Sequence, residues 1–139
     1  MARILVAEDT PENLEFVKLV LEQAGHEVVS AQNGAEAVAQ ARASHPHLIL
    51  MDMQMPVMDG LSATRLLKGD TALAAIKVIA LTALAMQGDF ERMSAAGCDG
   101  YLAKPFSYKE LLRVVAEAVA GLVEEDPPDK GLSEEGGRP

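Results

Sequence analysis

Five short apolar runs, each followed at once by polar residues, constrain this chain more than any other feature in it. They are Ile4-Leu5-Val6-Ala7, Val28-Val29, Leu48-Ile49-Leu50-Met51, Val78-Ile79-Ala80-Leu81 and Tyr101-Leu102-Ala103. The runs are continuous rather than alternating, which suits strands covered on both faces, as in a parallel sheet. The second run, flanked by Glu27 and Ser30, suits a sheet edge.

Helical patterns fill the gaps. Leu14, Val17, Leu21 and Ala24 recur at helical spacing, with Thr10 as the cap, Pro11 as the first helical residue and Gly25 as the stop. Leu111, Val115, Ala118 and Leu122 form another stripe, opened by Ser107 and Glu110 at capping-box spacing. Shorter helices are expected over about 34–44, 61–68 and 86–96. Strands alternating with helices give an α/β, doubly wound (βα)5 fold with a five-stranded parallel sheet. The expected strand order is the flavodoxin-like 2-1-3-4-5.

At 139 residues there is room for one domain. Aromatics make up only 4% and Trp is absent, so the core must be aliphatic, with Met and Ala. A net charge of −9 argues against gripping nucleic acid or an anionic membrane by electrostatics. No apolar run approaches the roughly 18–20 residues of a membrane span. The N-terminus turns acidic too soon for a signal peptide, so a soluble, cytoplasmic protein is expected. The single cysteine, Cys98, excludes an internal disulfide and a cysteine-based zinc site, and a buried, inert thiol is expected there. Residues 123–139 hold six acids, two bases, three prolines and three glycines, with only Val123 and Leu132 apolar. Such a stretch buries too little to offset its ordering entropy. It is read as a disordered acidic tail following a domain over residues 1–122.

The polar residues that follow the runs carry the chemistry. Glu8 and Asp9 follow the first run, Asp52 the third, Thr82 the fourth, and Lys104-Pro105 the fifth. Open α/β sheets bind ligands at the carboxyl ends of their strands, at the switch in strand order. In order 2-1-3-4-5 that crevice lies between the first and third strands, so Glu8, Asp9 and Asp52 meet there, with Thr82 and Lys104 opposite. Taken alone, an acid after a strand is a turn or a cap; coincidence at four strand ends is what changes the reading. At about 4 Å and an effective dielectric near 20, each carboxylate pair repels by roughly 4 kcal/mol. A hard divalent cation relieves this, and Mg²⁺ in such sites keeps waters and takes a phosphate oxygen. A hydroxyl and an ammonium would suit the remaining phosphoryl oxygens. The constellation suits phosphoryl transfer to a carboxylate, with Asp52 central.

The acid pair, Leu-Ile-Leu-Met-Asp52-Met-Gln-Met-Pro56-Val-Met-Asp59-Gly60, Ala-Leu-Thr82-Ala83 and Lys104-Pro105-Phe106 together closely resemble the response-regulator receiver (CheY-like) family over about residues 2–122. No core motif position departs from the pattern. The resemblance implies Asp52 as phosphoacceptor, and Mg²⁺ held by Asp9, Asp52 and the Gln54 backbone carbonyl with Glu8 assisting through water. It also implies phosphoryl contacts from Thr82 and Lys104, a cis Lys104-Pro105 bond, and Tyr101 as the aromatic that swings inward as Thr82 moves. Gln54 and Leu84 match positions that tune the lifetime of the phosphate. The stretch from Gly88 to Tyr101 also looks like single-domain receivers of the DivK type. The partners implied are a histidine kinase or phosphotransfer protein, and a downstream target at the face of the fourth helix, fifth strand and fifth helix. A receiver that phosphorylates and dephosphorylates itself is not a turnover enzyme. The alternative is a receiver detached from a hybrid kinase, or a phosphate-independent adaptor.

Other functions fit the residues poorly. A flavin nucleotide needs a phosphate-friendly loop where this chain has Glu-Asp-Thr-Pro-Glu. Haloacid dehalogenase-type phosphatases carry a second acid two residues after the nucleophile, where Gln54 stands. The glycine fingerprint of a dinucleotide dehydrogenase is missing. Asp59-Gly60 is read as a turn and helix start, the methionines between Met51 and Met58 as pliable packing, and His45 and His47 as solvated loop residues.

Overall fold

The computed structural model describes residues 2–83 and 86–124. Strands β1 (Arg3–Ala7), β2 (Glu27–Ala31), β3 (Leu48–Asp52), β4 (Lys77–Thr82) and β5 (Gly100–Ala103) alternate with helices α1 (Pro11–Gln23), α2 (Gly34–Ser44), α3 (Gly60–Lys68), α4 (Gln87–Ala96) and α5 (Tyr108–Glu124). The sheet is parallel throughout, in the order β2-β1-β3-β4-β5. The expected fold and strand order hold, and the run at Val28-Val29 is an edge strand.

The continuous apolar runs are explained by two cores. Ile4, Val6, Leu48, Leu50, Ile79 and Leu81 pack with Val17 and Leu21 of α1 and with Leu111 and Val115 of α5. Their neighbours Leu5, Ala7, Ile49, Met51, Val78 and Ala80 pack on the other face with α2, α3 and α4, through Ala37, Ala41, Ala63, Leu67 and Met93. Successive side chains of a strand point to opposite faces, so only strands covered on both sides need apolar residues at every position. Each fully buried large side chain contributes about 1.5–3 kcal/mol. Met51 and Met53 are buried, and Met55 and Met58 pack against the same core, as packing methionines should.

Local signals set the helix ends. Ser107 and Glu110 form the expected capping box: the Glu110 N–H donates to Ser107 Oγ at 3.1 Å, and the Ser107 N–H donates to Glu110 Oε1 at 2.9 Å. Asp59 caps α3, its Oδ1 accepting the Ser62 N–H at 2.7 Å. Gly25, at φ +95°, ends α1. Thr10 departs from expectation. It holds the cap position in extended conformation, but its hydroxyl makes no cap bond, and its own N–H donates to Glu8 Oε2 at 3.2 Å. Helix α5 runs to Glu124, two residues into the segment read as a tail; residues 125–139 and Leu84 lie outside the described residues. His45 and His47 are exposed, yet His47 is engaged through its ring. Cys98 is half-buried rather than buried; burial pushes its thiol pKa up, against a hydrogen bond with Thr64.

Candidate functional site

The carboxyl ends of β1, β3, β4 and β5 converge on one polar cluster. Glu8 follows β1 directly, Asp52 and Thr82 are the last residues of β3 and β4, and Lys104 follows β5. Glu8, Asp52 and Thr82 are 2%, 4% and 1% exposed, while Asp9 faces solvent. Carboxylate oxygens of Glu8, Asp9 and Asp52 lie within 4.8 Å of one another. Lys104 Nζ sits 3.1 Å from Glu8 Oε1 and 3.2 Å from Asp52 Oδ2. The Lys104 N–H donates to the Thr82 carbonyl at 2.8 Å, tying the last two strand ends together, and the Lys104-Pro105 peptide is cis.

The charges do not balance. Three carboxylates face one ammonium, and two of the three are buried. Burial is the main cause that drives the Asp52 pKa up to about 6; the Gln54 N–H and Lys104 pull it down, while Glu8 pushes it up further. Burial works against the charge on Lys104, but its bond to Glu8 and the nearby Asp52 outweigh that and hold its pKa above the ordinary lysine value. A cluster with excess buried negative charge and only oxygen donors fits a hard divalent cation such as Mg²⁺.

Two supports of Asp52 escaped the sequence reading. The Gln54 N–H donates to Asp52 Oδ1 at 3.1 Å, so Gln54 fixes the carboxylate through its amide as well as standing where a carbonyl ligand was expected. An Asp accepting from the amide two residues on is a known local turn, so the Asp52-x-Gln54 spacing held the signal. Gly60 does more than start a helix. A Cβ there would lie 2.2 Å from the Asp52 carbonyl oxygen, so only glycine lets α3 approach the strand end that carries the carboxylate. The Thr64 hydroxyl donates to the Gly60 carbonyl at 2.7 Å inside the core, and no sequence pattern marks that contact.

Asp9, Gln54 and Thr82 also line a cleft of about 620 Å³ between the β3–α3 loop and α4, which gives access to the cluster. Tyr101 lies apart from it. The side chain is 39% exposed, and its ring packs on Phe90 of α4 with centroids 4.8 Å apart.

Comparison with known proteins agrees with this geometry. The family profile described as response regulator receiver domain matches residues 4–116. The polar-differentiation response regulator DivK of Brucella ovis is 40% identical over 112 residues, covering 81% of this chain and 91% of that protein. The receiver domain of a sensor histidine kinase from Pseudomonas aeruginosa PAO1, solved with a magnesium ion in its active-site cleft, superposes with a TM-score of 0.80. It is 39% identical and covers 86% of this chain and 98% of its own. Vibrio cholerae chemotaxis protein CheY4 superposes with a TM-score of 0.81 at 29% identity, covering 85% and 98%. Among the described residues no helix is long and apolar enough to cross a membrane.

Proposed function

This chain belongs to the response-regulator receiver family, and from that premise we propose that Asp52 is its phosphoacceptor, charged by a histidine kinase or phosphotransfer protein in the cytoplasm. The observation that carries the reading is the buried Asp52 carboxylate, held between the Gln54 N–H and Lys104 with Glu8 and Asp9 beside it. An Asp52 oxygen attacks the phosphorus of the donor phosphohistidine, the P–N bond breaks, and an acyl phosphate forms as the imidazole leaves. At neutral pH a carboxyl of pKa about 6 is mostly ionised, so the nucleophile is ready without a general base. Lys104 neutralises charge on the phosphoryl oxygens, and the Thr82 hydroxyl donates to one of them.

Asp9, Asp52 and the Gln54 carbonyl would hold Mg²⁺, with Glu8 acting through water; the ion would supply charge neutralisation during transfer in and during hydrolysis. The chain thus catalyses its own phosphorylation and dephosphorylation without turning over a substrate. Its output is a changed surface. Thr82 drawn toward the phosphoryl group frees space that Tyr101 fills, remodelling the face of α4, β5 and α5 that a downstream protein reads. Two similar structures are receiver domains of histidine kinases, at 39% and 34% identity, which keeps a hybrid-kinase receiver as the second reading.

The test is incubation with acetyl phosphate and Mg²⁺ followed by intact mass. One phosphoryl group should appear on the wild type and none on Asp52→Asn. Equal labelling of the variant would overturn the assignment.

A further inference from the structure

At the opposite end of the sheet, two backbone N–H groups at the leading end of β1 end on imidazole rings. The Ala2 N–H donates to His26 Nδ1 at 3.2 Å, and the Arg3 N–H donates to His47 Nδ1 at 3.0 Å. Each link is closed by a backbone bond. The Glu27 N–H donates to the Ala2 carbonyl at 2.9 Å, and the His47 N–H donates to the Arg3 carbonyl at 2.9 Å. His26 immediately precedes β2 and His47 immediately precedes β3, the two strands between which β1 lies. Neighbouring N–H groups of a strand point to opposite sides, so one histidine serves each side. Together they complete the ladder at the end where the partner strands begin too late to do so.

An imidazole nitrogen accepts a hydrogen bond only while it carries no proton, and imidazolium presents N–H at both positions. Both rings are therefore neutral with the proton on Nε2. Protonation turns each acceptor into a donor aimed at another donor. We propose that His26 and His47 form a proton-operated latch, which fastens the leading end of β1 to β2 and β3 when neutral and releases it when charged.

The surroundings of His26 resist opening of the latch. For His26, burial lowers the pKa first and the amino-terminal charge adds to that. Arg3, which bears the second N–H, places its guanidinium on the Ser44 carbonyl and on Glu27, with Nε 3.3 Å from Glu27 Oε2. On the β4 side Lys77 stands in register with Leu48, the residue after His47, and His45 ends α2 nearby. Arg3, Glu27 and Lys77 are the charged groups these elements bring to the latch, and Glu27 is paired with Arg3. A histidine whose folded pKa is lowered adds stability above its unfolded value near 6.5, and loses that stability as pH falls below it. Ile4 to Ala7 are paired with both neighbouring strands, so opening is confined to residues 2 and 3 and to the chain entering β2 and β3.

The test is nitrogen-15 NMR of the full 139-residue chain from pH 7.5 to 5. At pH 7.5 both rings should show the Nε2–H tautomer. The Ala2 and Arg3 amide shifts should move with the midpoints of His26 and His47 respectively. Their hydrogen exchange, relative to intrinsic rates, should quicken by about tenfold or more while Val6 stays protected. His26→Gln and His47→Gln supply an acceptor oxygen that does not titrate, so each should abolish the pH response of its own amide alone. An Nδ1–H tautomer at pH 7.5 would overturn the latch. So would amides that ignore the histidine midpoints, or a response that survives in the glutamine variants.

Discussion

The two ends of the same parallel sheet treat charge in opposite ways. At the amino ends of β4 and β5, Lys68 Nζ donates to the Ala74 and Ile76 carbonyls at 3.1 and 2.8 Å and to Asp99 Oδ2 at 3.0 Å. Asp99 also accepts the Val78 N–H at 2.9 Å. One cation meets one anion and two carbonyls, and nothing is in excess. At the carboxyl ends, Lys104 is shared by Glu8 and Asp52 while Asp9 stands beside them. Charges that serve the fold are matched; at the other end they stand in surplus, as the proposed cation and phosphoryl group would require.

Substitutions at the two ends should therefore act with opposite sign. Lys68→Ala leaves two carbonyls and a carboxylate short of their donor, and should lower unfolding free energy by about 3 kcal/mol. Its labelling by acetyl phosphate should stay at the wild-type level under conditions where both proteins are folded. Denaturant melts check the first point and intact mass the second. A loss of labelling with no loss of stability would break the contrast.

Asp52→Asn should do the reverse, raising the stability of the metal-free protein at neutral pH by roughly 1–3 kcal/mol, because a buried charge is removed from among like charges. The sign with pH follows from the raised pKa. Above about 6 the folded and unfolded chains are both ionised at this residue, and the folded state carries the full penalty. As pH falls toward the unfolded value near 3.9, the folded state takes up its proton first and the penalty fades. The advantage of Asp52→Asn over wild type should thus shrink between pH 7.5 and 4.5 in denaturant melts. An advantage that grows on acidification would contradict the burial argument.

Much of this arrangement is legible in the sequence. Uninterrupted apolar runs require cover on both faces, which leads to parallel strands, crossover helices and a site where polar residues follow the runs. Glu8, Asp9, Asp52 and Lys104 stand where that logic places them. The contacts that fasten them are harder to read. His26 and His47 join residues 24 and 44 positions away, and only the register of the strands brings them together. Gly60 looks like any helix-start glycine until the Asp52 carbonyl lies against it. Thr10 keeps its cap position without its cap bond, and the neighbouring Glu8 carboxylate accepts its N–H.

Smaller effects sharpen the comparison. Mg²⁺ at ten times its dissociation constant should stabilise the wild type by about 1.4 kcal/mol, raising its melting temperature. Asp9→Ala should lose most of that gain, whereas Lys68→Ala should keep it. The smallest effect is expected from the acidic segment. Deleting residues 125–139, which contain a single large apolar residue, Leu132, should change unfolding free energy by less than about 1 kcal/mol. A larger change in denaturant melts would mean that the segment packs on the domain.

The most direct measurement is the position of the phosphoryl group itself. Acyl phosphates are reduced by borohydride to the alcohol, so peptide mass mapping after phosphorylation and reduction marks the acceptor. Conversion should fall on Asp52 alone, and should depend on Mg²⁺. Conversion at Asp9, Asp59 or Asp99 with Asp52 untouched would contradict the claim that the surplus carboxylate at the end of β3 is the one kept for chemistry.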